Sequence, residues 1–496
     1  MKTLLLVAVN ITVIGVFVYL FRKKNLLSYF SGGRWWLTWL SVAVITLMDE
    51  LTSIFYAPSE AYRFIGMSAI AFLVLTSLLM RFLSTRMVEI AEILEHHKIK
   101  GGGVYSFSYL VLGPTLSFVA VASILVVYIL TASISTVSAV ENGLTFISLT
   151  QEQKLFFQFA IVWGIAGLNI LGIRENARFT FTLFAIVSVV MLSLLASGLY
   201  DAKPESWQTI GRSFVDSFAA IREGGVIGGF ALIIISVSGC ILAYSGIESV
   251  IQTAGLVKTW REISKAYVFL ALTVGIFTPT ISALALSSGL DPVRHETDLI
   301  TQYAAMLNGL PFGVIVGAIA SIALIMAVNT AYVASSELIE RVAHRYDFQW
   351  IIQTNRRQSL YRIHLANAIF FSLLILVTEG QQKTLAEMYA LSLVASFCIN
   401  MGSLLFYRYF KGTNEIREYH TSRLGTFLLF VILIGCFVYL SLTRPYGLGL
   451  WSGATVFFLV VGLVVARQRA PERKYIEASD TPLEMILALA EAPGDR

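Results

Sequence analysis

Charge is scarce in this sequence: Asp, Glu, Lys and Arg make up 14% of its 496 residues, against 56% apolar ones. A soluble domain carries roughly a quarter charged residues, because its surface must be solvated by water. With a mean hydropathy of +0.74, the chain cannot hide its apolar surface in one water-solvated core, and lipid must solvate it. Cysteine is sparse too. Cys240, Cys398 and Cys436 each sit in an apolar run with no paired Cys or Cys/His spacing, which excludes a disulfide framework and a zinc cluster. The glycine run at 101–103 lacks the following Lys-Ser/Thr of a phosphate loop and reads as a tight turn or flexible gate. No nucleophile stands at usable spacing from a base and no cofactor motif occurs, so neither an enzyme nor a cofactor is expected. The net charge of +5 is spread between apolar runs, not gathered in a patch, which argues against a nucleic-acid partner.

What the chain does have is long apolar runs. They fall at 3–21, 36–58, 65–83, 113–140, 155–172, 179–199, 226–250, 266–287, 311–338, 363–378, 385–407, 425–441 and 450–466. Judged against the ~20 residues needed to cross a hydrocarbon layer, these are about thirteen spanning helices, the first an addition to twelve others. The first run is followed by Arg22, Lys23 and Lys24 and lacks a small-residue cleavage site, so a retained spanning helix is expected, not a signal peptide. Alternating the loops from an external N-terminus puts about three quarters of the 36 Lys and Arg residues on the cytoplasmic side. That asymmetry predicts an integral membrane protein with its N-terminus outside and its C-terminus cytoplasmic, in a bacterial inner membrane. The expected organisation is an extra helix in 1–30, five spans in 36–200, five more in 225–410, two further helices in 424–467 and a cytoplasmic tail over 468–496. Within that tail, TPLEMILALAEA reads as a short terminal helix.

Two spans should be interrupted. The run at 36–58 carries Asp49 and Glu50 inside and meets Pro58 and Glu60 before it ends; the run at 226–250 holds Gly239, Gly246 and then Glu248. Each opens a set of five spans, and because five is odd the second set enters the membrane upside down. Paired discontinuous helices at matching places in two inverted repeats point to a binding site near the midplane, since unwound backbone exposes carbonyls and helix ends there. The third spans of the two sets also match. Tyr128, Thr131 and Ser135 share one helical face in the first, and Asn329, Thr330 and Tyr332 lie in its partner, so their polar groups are expected to complete an oxygen-rich pocket.

A carboxylate inside a span is costly unless it is paired or hydrated, which marks Asp49 and Glu248 as functional candidates; a structural pair or helix cap is the alternative. Glu50 points elsewhere on the helix, and a structural or gating role is expected for it. The hydroxyls of Thr131, Ser135 and Ser245 serve equally well in helix packing, and Tyr56, Tyr128 and Tyr389 as packing aromatics. His96, His97, His344, His364 and His420 fall near the side read as cytoplasmic and His295 on the other. A histidine proton relay is therefore not expected, and a proton step falls to a carboxylate.

Seven stretches in order carry a family likeness: DELTSIFYAPSEA, GGGVYSFSYLVLG, ASILVVYILTASIS, LNILGIREN, SGCILAYSGIES, AVNTAYVAS and MYALSLVASFCINMG. From about Trp35 to Tyr409 the chain resembles the amino acid-polyamine-organocation (APC) superfamily, and within it the KimA-type potassium/proton symporters related to the KUP importers. The resemblance implies an all-α polytopic membrane protein with a LeuT-type 5+5 inverted repeat, broken first and sixth core helices, and about twelve core helices plus the extra N-terminal one. It also implies solute-site roles for Asp49, Tyr56, Tyr128, Thr131, Ser135 and Tyr389, for Ser245 where the branch usually has threonine, and for Glu248 as its acidic residue in the sixth core helix. Val127 departs from the pattern, standing where the branch carries an aspartate. The sequence also ends before the large cytoplasmic regulatory domain of that branch, so regulation or dimerisation through such a domain is not expected.

Three readings of function remain open at this stage. Proton-coupled import of potassium or another small monovalent cation is favoured by Asp49 in a first break that has no glycine, because free amides there would otherwise receive a substrate carboxylate. An amino acid or amine permease is the second, with an amino group at Asp49 and a carboxylate at the glycines of the sixth core helix. A non-transporting membrane scaffold is the third. Glu248, or Asp49 itself, is the expected proton carrier, and a small solute, a proton and the lipid bilayer are the expected partners.

Overall fold

The computed structural model describes residues 1–23, 26–31, 34–99, 103–172, 177–411 and 418–468. After α1 (Lys2–Phe21), a short antiparallel hairpin of β1 (Ser28–Ser31) and β2 (Arg34–Leu37) leads into the first repeat. That repeat comprises α2 (Trp39–Thr52), α3 (Ala57–Ile65), α4 (Ala69–His96), α5 (Gly103–Gly143, kinked at Gly113), α6 (Gln151–Ile170) and α7 (Ala177–Asp201). A linking helix, α8 (Pro204–Glu223), precedes the second repeat: α9 (Gly225–Cys240), α10 (Ser249–Gln252), α11 (Trp260–Leu272), α12 (Val274–Leu286), α13 (Leu299–Asn308), α14 (Leu310–Arg345), α15 (Tyr361–Val377) and α16 (Gln382–Lys411). The last two helices are α17 (Arg423–Thr443) and α18 (Pro445–Gln468).

All thirteen apolar runs are helical. Ten described segments are long and apolar enough to cross a membrane by themselves. The other three are α2, cut to 14 residues by its break, α6, whose first turn is Gln-Glu-Gln-Lys, and α15, at 17 residues. The third helices of the repeats, α5 and α14, pack along each other, and α16 lies against α5. The α5 core is almost wholly buried while α1 and α18 are almost wholly outward-facing, as lipid-solvated helices at a bundle's edge must be. Helix α1 docks on α7, where the Ser193 hydroxyl donates to Asn10 Oδ1 (2.9 Å) and Phe17 meets Phe181 and Phe184 edge-on.

Both expected interruptions are present, and local chemistry accounts for each. Pro58 has no N–H to give to the carbonyl of Ile54, so the helix must stop and restart; Ser53–Phe55 tighten into a 3₁₀ turn, and α3 begins with proline in its first turn. The Thr52 and Ser53 hydroxyls compete for backbone, donating to the carbonyls of Asp49 (2.6 Å) and Glu50 (2.7 Å). In the second repeat α9 tightens into a 3₁₀ turn over Ile241–Tyr244, after which Ser245 is extended and Gly246 takes φ +98°. A third break, at Thr273 between α11 and α12, was not anticipated.

The apolar-run reading also missed α8, whose composition is balanced between polar and apolar. Its serine face packs inward, Ser213 donating to the Met67 carbonyl (2.8 Å) and accepting from the Ala71 amide (3.2 Å). Trp207, Val215 and Phe218 are exposed on the same helix.

Candidate functional site

The two breaks meet backbone to backbone. A Cβ added to Gly246 would lie 2.8 Å from the Glu50 amide nitrogen and 3.1 Å from Asp49 Cγ, so glycine is required there for contact as well as for conformation. Ser53 stitches the crossing by donating to the Ala243 carbonyl at 2.6 Å. Around this junction the oxygen-bearing side chains gather in pairs. The Ser249 hydroxyl donates to Asp49 Oδ2 (3.0 Å), the Gly246 amide donates to Glu248 Oε2 (3.1 Å), and the Tyr56 and Ser245 hydroxyls share a hydrogen bond (3.1 Å). From the long third helix, Thr131 donates to Tyr389 of α16 (2.8 Å) and also contacts the Val127 carbonyl (2.9 Å). Tyr128 stands within electrostatic reach of both Asp49 and Glu248. Ser135 is buried one turn beyond Thr131 on the same face.

Not every expected residue joins them. Tyr332 turns away, donating to the Val162 carbonyl of α6 (3.0 Å) and packing on Phe371; a helix presents only part of its circumference to one pocket. Asn329 accepts from the Asn169 side chain (2.8 Å), and only Thr330 of the α14 trio borders the adjoining cavity. Glu50 leaves the junction for Arg81 of α4, 2.5 Å away, forming an ion pair in which Glu50 is fully buried. Gly101 and Gly102 and the tail from 469 lie outside the described residues.

A cavity lies on one side of the junction and a cluster of ion pairs on the other. A cavity of about 530 Å³ runs from Tyr128 and Ser249 past Asn169 and Gln252 to Glu337 and His364. On the opposite side Arg63 of α3 contacts Glu60 (2.7 Å), Glu296 (2.7 Å) and Glu387 of α16 (3.3 Å), while the Arg444 guanidinium lies over the Phe64 ring. Sequence reasoning did not single out Ser249, Arg81, Glu337 or Arg63 as site residues. Ser249 directly follows Glu248 and was within reach of the motif; the other three acquire meaning only from partners far away in the chain.

Residues 33–466 match the family described as amino acid permease. The chain belongs to that family. The chain is also similar to the potassium transporter KimA of Bacillus subtilis (strain 168), with 25% identity over 384 residues, 75% of this chain and 61% of that protein. A second relative is the branched-chain amino acid permease BcaP of the same organism, 24% identical over 259 residues, 46% of this chain and 50% of that protein. The chain thus spans between half and about three fifths of the length of these curated relatives. Among solved structures it resembles that of the Eremococcus coleocola manganese transporter in complex with an aromatic bis-isothiourea compound. The TM-score is 0.53 at 12% identity, over 90% of this chain and 99% of that one, a likeness of fold. The chain is therefore an integral membrane protein with the fold of the APC superfamily, the LeuT-type inverted repeat.

Proposed function

We propose that this permease imports a small monovalent cation, potassium before others, together with a proton. The observation that carries the reading is the contact between the Glu248 carboxylate and the Gly246 amide. A permease for amino acids needs free amides at its glycine-containing break to receive the substrate carboxylate. Here the Gly246 amide already serves an acidic side chain, and Asp49 faces it from the other break, so a substrate carboxylate would meet repulsion and one donor fewer. The same arrangement attracts a cation. Asp49, Glu248, Tyr56, Ser245, Tyr128, Thr131, Ser135 and Tyr389 offer carboxylate and hydroxyl oxygens of the kind that replace a hydration shell in ion-selective sites. Glu248, or Asp49 itself, is the proton carrier. In this reading the N-terminus is outside, the cavity opens to the cytoplasm, the repeats are 36–200 and 225–410, and rocking of one bundle exchanges the open and closed sides.

Import of an amino acid or amine is the second reading; the family description and the BcaP relative favour it. Uptake of rubidium and of a mixed amino-acid pool by the purified protein in liposomes, with and without an imposed proton gradient, separates the two. Proton-stimulated rubidium uptake that Asp49→Asn abolishes, while the variant still inserts and elutes normally, is the expected result. Amino-acid uptake without rubidium uptake would overturn the cation reading.

A further inference from the structure

The cavity beside the junction holds a carboxylate that the junction does not use. Glu337 lies on α14, one face of which, formed by Thr330, Ala334 and Glu337 at helical spacing, borders the cavity over about 10 Å of helix length. An ionisable side chain facing a cavity inside a transmembrane helix is where ion pathways are found, because only water, an ion or a partner can meet its solvation demand.

Charges of both signs surround this position. Glu340, one turn closer to the helix end, faces His344 at 3.7 Å. Arg357 also borders the cavity, and its guanidinium donates to the Leu171 carbonyl (3.2 Å). Arg341, a turn from Glu337, acts on it electrostatically, as does Glu340 with the opposite sign. His364 borders the cavity and shares a hydrogen bond with Ser336 (3.2 Å).

A second, independent feature points to a ligand in the same space. Tyr128 is 4% exposed and borders the cavity, yet its hydroxyl forms no hydrogen bond with any described residue. Asp49, Glu248 and Glu337 all lie within electrostatic reach of it, as does Arg341 with the opposite sign. Ser249, which holds Asp49, borders the cavity beside it. A hydroxyl on an otherwise buried side chain that borders the cavity, near several acids and without a hydrogen-bond partner among the described residues, is available as an oxygen ligand for a cation.

We propose that Glu337 and Tyr128 form a second cation station in the cavity, separate from the Asp49–Glu248 junction and weaker than it. Its ligand is a monovalent cation, inorganic or a primary ammonium. An ion leaving the junction keeps Tyr128 as a shared ligand while it exchanges Asp49 for Glu337, so it is never stranded in a low-dielectric throat without a counter-charge. A carboxylate in such a throat raises the local cation concentration by roughly ten-fold or more. The inference rests on the cation reading above.

The test is equilibrium binding of radioactive rubidium to the purified full chain, read by scintillation proximity. The wild type is expected to show a tight component and one about ten-fold or more weaker. Asp49→Asn should lose the tight component alone, Glu337→Gln the weak one alone, and Glu337→Asp should keep both. Glu337→Ser makes the same comparison where Glu337→Gln does not elute as a folded species. A tight, Asp49-dependent component with Glu337→Gln indistinguishable from wild type would overturn the second station and leave the cation reading standing. No rubidium binding by the wild type would overturn both.

Discussion

Replacing Gly246 by alanine tests the crossing of the two breaks with a magnitude the structure supplies. The residue sits at φ +98°, where an L-residue is strained by about 1–3 kcal/mol. Its new methyl would also stand 2.8 Å from the Glu50 backbone nitrogen and 3.1 Å from Asp49 Cγ. A backbone atom cannot rotate aside as a side chain does, so α2 must shift, at the ~1–3 kcal/mol typical of overpacking. Together these destabilise the junction by about 2–6 kcal/mol. With an unfolding entropy near 2 cal/mol/K per residue over 496 residues, each kcal/mol lowers Tm by about 1 °C, and the variant should melt ~2–6 °C below wild type in detergent. Gly164→Ala on α6 is the control, since nothing lies within 4 Å of its Cβ position; it should hold or raise Tm, alanine being the better helix former. The displaced atoms belong to Asp49 and Glu50, so uptake should fall about ten-fold for every 1.4 kcal/mol of strain left in the folded state. Gly246→Ala with wild-type Tm and wild-type uptake would refute the close crossing.

Arg81→Met leaves the fully buried Glu50 without its partner and should destabilise the protein by about 3–5 kcal/mol, while Glu50→Gln combined with Arg81→Met recovers most of the loss. Thermal melts of the single and double variants decide this, and equal losses in both would show that the pair is not the cause. Glu248→Gln should transport more slowly and no longer respond to an imposed pH gradient; an active variant with an unchanged response would remove Glu248 from the coupling step.

Much of the fold was legible because lipid leaves few choices. A run of about 20 apolar residues in a chain this poor in charge has no alternative to a spanning helix. The first break could be read from Pro58 and the second from Gly246, since both act on backbone within a few residues of themselves. The candidate site was legible in which side chains gather: Asp49 and Glu248 sit at the two breaks, and Tyr128, Thr131 and Ser135 follow helical spacing along one face of α5. It was illegible where meaning depends on a distant partner. Nothing local to Arg81 or Glu50 announces an ion pair across 31 positions, and Tyr332 shares the α14 motif with Thr330 yet turns to α6. Helix α8 and the short α13 escaped because neither is an uninterrupted apolar run of spanning length.

Arg63 serves Glu60, Glu296 and Glu387 with one guanidinium, and Glu60 is 2% exposed. Because Glu60 stands one turn from Arg63 on α3, the two move as one body, and what crosses to other elements is the guanidinium's hold on Glu296 and Glu387. Those two acids are 34% and 16% exposed, so water can take over from the guanidinium as the contacts lengthen while the buried Glu60 stays paired. In the transport reading, that lets this face part and close again without leaving a buried charge alone.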